Sequence, residues 1–165
     1  MVNKELLQDI FSYDNGNLYW KTIKSKKVKA GQKAGSVDRQ GYMRTQVLNK
    51  TCQIHRLVWI FHYGNIENNY TIDHIDRNTL NNKIENLRIA TRSQNSQNTG
   101  KKPNNTSGYK NVYWSKEKQK WRVSCISQGK KRHGGSYALI DDAVKAAILL
   151  RKKFHQEFAQ DDITC

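Results

Sequence analysis

Apolar positions along this chain come in short bursts whose spacing predicts small elements rather than one extended core. Residues 1–12 place Leu6, Leu7 and Ile10 on one side of a short amphipathic helix. FSYDNGNLYWK follows, two aromatic-rich arms about Asn15-Gly16, a strong hairpin signal. A second hairpin is predicted from GYMRTQVL and TCQIHRLVW around Asn49-Lys50, its alternation setting Tyr42, Arg44 and Gln46 against Met43, Thr45 and Val47. IHRLVWIFHYGN has helical character and ends near Gly64, a common residue just past a helix. From Ser107 the pattern changes to three short strands, GYKNVYWSK, KWRVSCIS and KRHGGSY, with turns at Glu117–Gln119 and Gln128-Gly129. The closing stretch IDDAVKAAILLRKKFHQEFA is helical in period, with Asp141 and Asp142 at its start and Arg151, Lys152 and Lys153 toward its end, each placed well for the helix dipole. Ala143 and Ala147 would let this helix lie close to a sheet, a contact extended by Phe154 and Phe158. The expected class is α+β: a β-rich N-terminal region, then a sheet of three antiparallel strands packed on one helix.

Composition sharpens this picture. The chain has 165 residues, enough for one ordinary domain or a few small modules, and 29 Lys and Arg against 14 Asp and Glu give it a net charge of +15. Such an excess predicts a polyanionic partner, nucleic acid ahead of a membrane surface. Lys21 to Lys33 alone carries six lysines and no acid, which suits either a solvated loop or one that follows phosphates. No stretch approaches the ~20 apolar residues of a membrane span, and MVNKELLQDIF has neither the apolar core nor the cleavage site of a signal peptide. A cytoplasmic protein, bacterial or in a phage-infected host, is expected. Cys52, Cys125 and Cys165 stand too far apart for CxxC spacing, which disfavours a zinc site or a disulfide framework. Ser93–Ser107 is poor in apolar residues and holds the only proline, so 99–106 reads as a linker between domains at 1–98 and 107–165, with Lys101 and Lys102 able to follow phosphates.

Between these regions lies YTIDHIDRNTLNNKIENLRIATRSQNSQN, Tyr70 to Asn98. It joins an Asp-His pair, Asp73 and His74, to Asn86 before Leu87 and to Asn95 on a short polar helix, with Ile72, Ile84 and Leu87 as aliphatic anchors. Singly, these are solvated turn residues, since Asn tolerates left-handed backbone and bonds its own chain. Together, at this spacing, they resemble the HNH (ββα-metal) endonucleases, in the homing and phage branch whose last His is an Asn. The resemblance implies that Asp73 and Asn95 ligate one divalent cation, Mg²⁺ or Mn²⁺, that His74 is the general base and that Asn86 ties the motif's backbone. The chemistry fits the residue types. A hard cation on one carboxylate and one amide oxygen keeps positions open for phosphate and water, and neutral imidazole accepts a proton near pH 7. Asp73 and His74, as neighbours, would point to opposite faces of an unbent strand. His55, in the His-Arg-Leu-Val segment, is either an accessory residue near the phosphate or a packed structural histidine. His62 reads as structural.

The segment SGYKNVYW through FHQEFA resembles the DNA-binding domain of plant APETALA and ethylene-response factors, by Ser-Gly-Tyr before Val112, by Trp121, by Gly135-Ser136-Tyr137 and by the alanine-bearing helix. This resemblance implies a sheet docked in the major groove, with Lys110, Tyr113, Lys131 and His133 facing DNA, and Lys120 and Arg122 beside them. Arg44 is a further candidate contact in the N-terminal region. Tyr113, Ser115 and His133 depart from that family's usual Arg and Trp, so only the fold and docking face are carried over. Trp114 and Trp121 are either DNA contacts or core. The expected protein is an endonuclease acting on double-stranded DNA as a monomer, or a dimer on DNA, with one motif per chain nicking one strand to leave 5′-phosphate and 3′-hydroxyl ends. The rival is a sequence-specific DNA-binding regulator with an inactive motif. An RNA-binding protein is disfavoured because no aromatic RNA-recognition signature is present.

Overall fold

The computed structural model describes residues 2–23, 28–101 and 103–159. It has two compact units, Met1–Ala90 and Thr91–Cys165, both of mixed α and β structure.

In the first unit, α1 (Lys4–Ile10) starts at Asn3, whose side chain accepts the Leu6 amide. It buries Leu7 and meets the end of α2, where Lys4 Nζ donates to the His62 carbonyl at 2.8 Å and Gln8 to that of Phe61 at 3.2 Å. The strands β1 (Phe11–Asp14) and β2 (Asn17–Trp20) form the first hairpin. Asn15 and Gly16 both take positive φ, 46° and 86°, so the turn matches the right-handed twist of its arms. Phe11 and Trp20 face each other across it with ring centroids 4.4 Å apart.

A sheet of three antiparallel strands comes next, with β4 (Met43–Val47) between β3 (Ser36–Val37) and β5 (Lys50–Gln53). Its tight turn is one residue earlier than expected. Leu48 and Asn49 carry the positive φ, 49° and 60°, so Lys50 already pairs with Val47. The second arm is also shorter than predicted, because α2 (Ile54–Tyr63) begins right after Gln53 and ends at Gly64. Helical spacing wins here: Ile54, Leu57 and Val58 lie on one face and are almost fully buried. With Leu7, Phe11, Leu18, Trp20, Val47, Ile72 and Leu87 they make one core. Against that core lies the two-stranded sheet of β6 (Tyr70–His74) and β7 (Leu87–Thr91). Of the lysine-rich run, Lys24, Lys26 and Lys27 lie outside the described residues, while Lys21 donates to the Gln8 carbonyl and Lys33 bridges to Tyr19.

In the second unit, α3 (Arg92–Gln97) begins with a capping box: Thr91 Oγ1 accepts the Gln94 amide and Gln94 Oε1 accepts that of Thr91. No helix or strand follows among the described residues until β8 (Val112–Ser115), which pairs with β9 (Lys120–Ser127), itself paired with β10 (Lys130–Tyr137). The helix α4 (Ile140–His155) covers one face of this sheet, its Ala143 and Ala147 packed on Val112 and Val123. Gly134 permits that closeness, since a Cβ there would stand 2.7 Å from Val123 Cγ1 and 3.1 Å from Leu150. Trp114 and Trp121 form an edge-to-face pair at 5.1 Å at one end of the sheet, Trp114 partly exposed. Arg151 is buried and donates to the Lys110 carbonyl at 3.0 Å, so it also braces the strand entry. One expectation at the end of α4 changes. The helix stops at His155, and Phe158 is buried from a separate 3-10 turn. Among the described residues, no helix is long and apolar enough to cross a membrane.

Candidate active site

The last residues of β6 carry the Asp-His pair. Alternation would expose one of two neighbours, yet Ile72, Asp73 and His74 are all buried, the latter two each 5% exposed. The strand ends at this point. Ile75 donates to the Asn86 carbonyl at 2.8 Å, Arg77 takes a φ of 64°, and its amide donates to the His74 carbonyl at 3.0 Å. Both side chains therefore sit where the strand gives way to a turn.

The loop from Asp76 to Asn86 is closed by its own side chains. Asn86 Nδ2 donates to Asp76 Oδ1 at 2.9 Å and to the Asn81 carbonyl at 2.8 Å, while its Oδ1 accepts the Asp76 amide at 3.0 Å. Asp76 also accepts from Asn81 Nδ2 at 2.7 Å and from the Asn78 amide at 2.8 Å. Burial works against its charge, but these bonds outweigh it, and the Asp76 carboxyl lies below its ordinary range. Thr79 Oγ1 anchors the loop to the Gly41 carbonyl at 2.7 Å.

His74 Nε2 lies 3.1 Å from Asn82 Oδ1. Its ring meets that of His55 edge-on at 4.8 Å and that of Tyr42 at 6.2 Å. His55, in the first turn of α2, is 4% exposed. Burial first, then the positive charges of His74, Arg56 and Arg44, push its pKa down to about 3. It is accordingly a neutral wall beside His74 near pH 7. His62 packs edge-on to Tyr13 at 4.5 Å, and burial lowers its pKa, as suits a structural histidine.

Arg88 Nε, from β7, donates to Asp73 Oδ2 at 2.9 Å, and Arg88 Nη2 stands 2.9 Å from the same oxygen as an ion pair. Among the described residues, no three His, Cys, Asp or Glu side chains gather as a metal cage. Asp73 offers one carboxylate, a hard oxygen donor of the kind that suits a hard cation retaining water and substrate ligands better than zinc. Asn95 is carried by α3, in the second unit, half-buried, its carbonyl accepting the Asn98 amide at 3.2 Å.

The three strands of the second unit bring several candidate DNA contacts together. Tyr113 pairs with Arg122, His133 with Ser124 and Lys131 with Ile126. Since paired residues share a face and alternate residues repeat it, Tyr113, Lys120, Arg122, Lys131 and His133 occupy the face away from α4. The Arg122 guanidinium and the Lys131 amine lie 6.0 and 5.8 Å from the Tyr113 ring centroid. Two other candidates are engaged within the protein. Arg44 pairs with Asp38 and donates to Gln40 Oε1 at 3.1 Å. Lys110 stands ahead of β8, where its amine donates to the carbonyls of Gln97 and Thr99, so it braces the chain after α3. Lys101 is exposed and reaches the Gly108 carbonyl at 3.3 Å, and Lys102 lies outside the described residues.

Asn82, Arg88 and Asp76 escape sequence reasoning. An Asn in a run of Asn reads as a turn former, and Arg88 belongs to no motif position. The spacing of His74 to Asn82 and Asp73 to Arg88 gives no local signal of either pairing.

The family model described as HNH endonuclease matches residues 52–97, which includes Asp73, His74, Asn82, Asn86 and Asn95. Protein 3.8 of Escherichia phage T7 is 39% identical over 106 residues, 64% of this chain and 87% of that protein. An uncharacterized HNH endonuclease, L560, of Acanthamoeba polyphaga mimivirus is 30% identical over 122 residues, 73% of this chain and 62% of that protein. The solved structure of the HNH homing endonuclease I-HmuI aligns over 87% of this chain and 80% of its own, at 24% identity and a TM-score of 0.44. With the matched segment enclosing the Asp-His pair and its tied loop, and the phage relative covered along most of its length, the chain belongs to the HNH endonuclease family.

Proposed function

We propose that this protein is a divalent-metal-dependent DNA endonuclease of the homing type, acting in the cytoplasm of a bacterium or phage-infected host. It hydrolyses one phosphodiester of duplex DNA per monomer, and a break in both strands needs a second copy. The observation that carries this reading is the buried Asp73-His74 pair at the end of β6, beside a loop closed by Asn86 and Asp76.

His74 accepts a proton from the attacking water, and its burial beside the neutral His55 limits competing solvent. Asp73 is a cation ligand, with Asn95 the second on its motif position alone. A cation so held supplies positive charge for the phosphate and the departing 3′ oxygen. Arg88 holds the Asp73 carboxylate in place within the protein.

The face bearing Tyr113, Lys120, Arg122, Lys131 and His133 positions the enzyme on DNA in the manner of an APETALA-type domain. The supporting observation is that five polar and basic side chains share the face away from α4. Their charge, with that of Lys101 and Lys102, supplies affinity through phosphate contacts that weaken with salt.

Incubating supercoiled plasmid with Mg²⁺, with Mn²⁺ and with EDTA tests the reading, and run-off sequencing of the products gives strand and end chemistry. Metal-dependent nicking that leaves 5′-phosphate and 3′-hydroxyl ends is expected. Tight DNA binding with intact plasmid under all three conditions would instead identify a DNA-binding regulator.

A further inference from the structure

We infer that Asn82 is a positioning residue for His74, fixing which imidazole nitrogen carries the proton; this rests on the proposed role of His74 as base. Asn82 is almost fully buried, and its amide is oriented by a bond within its own loop. Nδ2 donates to the Leu80 carbonyl at 3.4 Å, which turns Oδ1 toward His74 Nε2 at 3.1 Å. An amide oxygen only accepts hydrogen bonds. Neutral His74 must therefore keep its proton on Nε2, leaving the Nδ1 lone pair as the basic site. A partner that fixes the tautomer is the half of a histidine base that sequence motifs omit.

The backbone holding Asn82 is itself pinned by the first hairpin. Gly16 approaches so closely that a Cβ there would fall 2.7 Å from the Lys83 nitrogen and 2.9 Å from the Asn82 carbonyl carbon. One residue further on, the Ile84 amide donates to Tyr13 Oη at 3.1 Å. Tyr13 and Gly16 belong to a hairpin well separated in sequence from the motif, yet they set where the Asn82 amide stands. The hairpin thus acts on His74 through a single side chain. This accounts for a tight turn with no catalytic group of its own being packed against the loop.

The test uses the full chain with ¹⁵N-labelled histidine, in EDTA and without DNA. A long-range proton–nitrogen spectrum separates a nitrogen bearing hydrogen from a bare one, and His74→Ala assigns the signals. The wild type should show the Nε2–H form of His74. Asn82→Leu, of similar volume but with no acceptor, should give a mixture of tautomers. Its kcat for plasmid nicking should fall about 10- to 100-fold, as for lost outer-shell partners, while KM for DNA is unchanged. Asn82→Asp restores an acceptor oxygen and should recover the Nε2–H form and most of kcat. An Nδ1–H wild type overturns the inference whether or not any variant folds, as does an Asn82→Leu protein with unaltered tautomer and kcat. If the tautomer responds as expected but no variant nor the wild type cuts DNA, the Asn82–His74 coupling stands and the nuclease reading fails.

Discussion

Acidification should destabilise this protein through one buried ring. His55 has a pKa of about 3 in the fold against roughly 6.5 when unfolded. The unfolded chain therefore binds more protons throughout the window between those values, and stability falls as pH drops through it. At pH 7 both states are largely neutral. At pH 5 the unfolded histidine is almost wholly protonated and the folded one is not, so the difference integrates to about 2 kcal/mol lost between pH 7 and 5. That figure is insensitive to the folded value, because pH 5 is still well above it. His62 and His155 are shifted the same way, by burial first, so the wild type alone does not isolate His55. The comparison with His55→Gln does. Urea unfolding followed by tryptophan fluorescence, metal-free, at pH 7 and pH 5 should show the variant losing about 2 kcal/mol less than the wild type. Equal losses in the two proteins would mean that His55 titrates as an exposed histidine. The account of a neutral wall beside His74 would then be wrong.

Asn86→Ala removes three hydrogen bonds that close the Asp76–Asn86 loop and should destabilise the protein by about 2–4 kcal/mol in denaturant titration. Gly134→Ala forces a methyl against Val123 and Leu150; overpacking of this kind should cost about 1–3 kcal/mol, seen as a lower unfolding midpoint. Arg122→Ala should weaken DNA binding in filter or anisotropy titrations and reduce the magnitude of the log-affinity against log-salt slope by about 1. An unchanged slope would remove Arg122 from the phosphate contacts.

Much of the fold is legible where a local signal coincides with a local cause. Asn15-Gly16 supplies the positive φ that its turn needs, and Gly64 closes α2 where the helical period stops. The strands β8, β9 and β10 follow their turn residues closely. Legibility fails where a residue answers to something distant. The second hairpin turns on Leu48 and Asn49, a leucine in left-handed backbone, because the pairing of β4 with β5 and the start of α2 fix the register. Arg151 has the charge expected near a helix end, but the Lys110 carbonyl draws it inward. At the candidate site, Asp73, His74 and Asn86 are visible as motif residues, and the Asn86 side chain does bond around the loop. The partners that orient them are not visible. Arg88 reaches Asp73 from the neighbouring strand, and Asn82 meets His74 only after the loop folds back.

The central claim is that His74 performs the proton transfer of DNA cleavage, and a matched comparison of wild type and His74→Ala on supercoiled plasmid in Mg²⁺ tests it most directly. DNA binding should be equal in the two proteins, while nicking by the variant falls by about 100- to 10,000-fold. Nicking by His74→Ala at the wild-type rate would contradict the account.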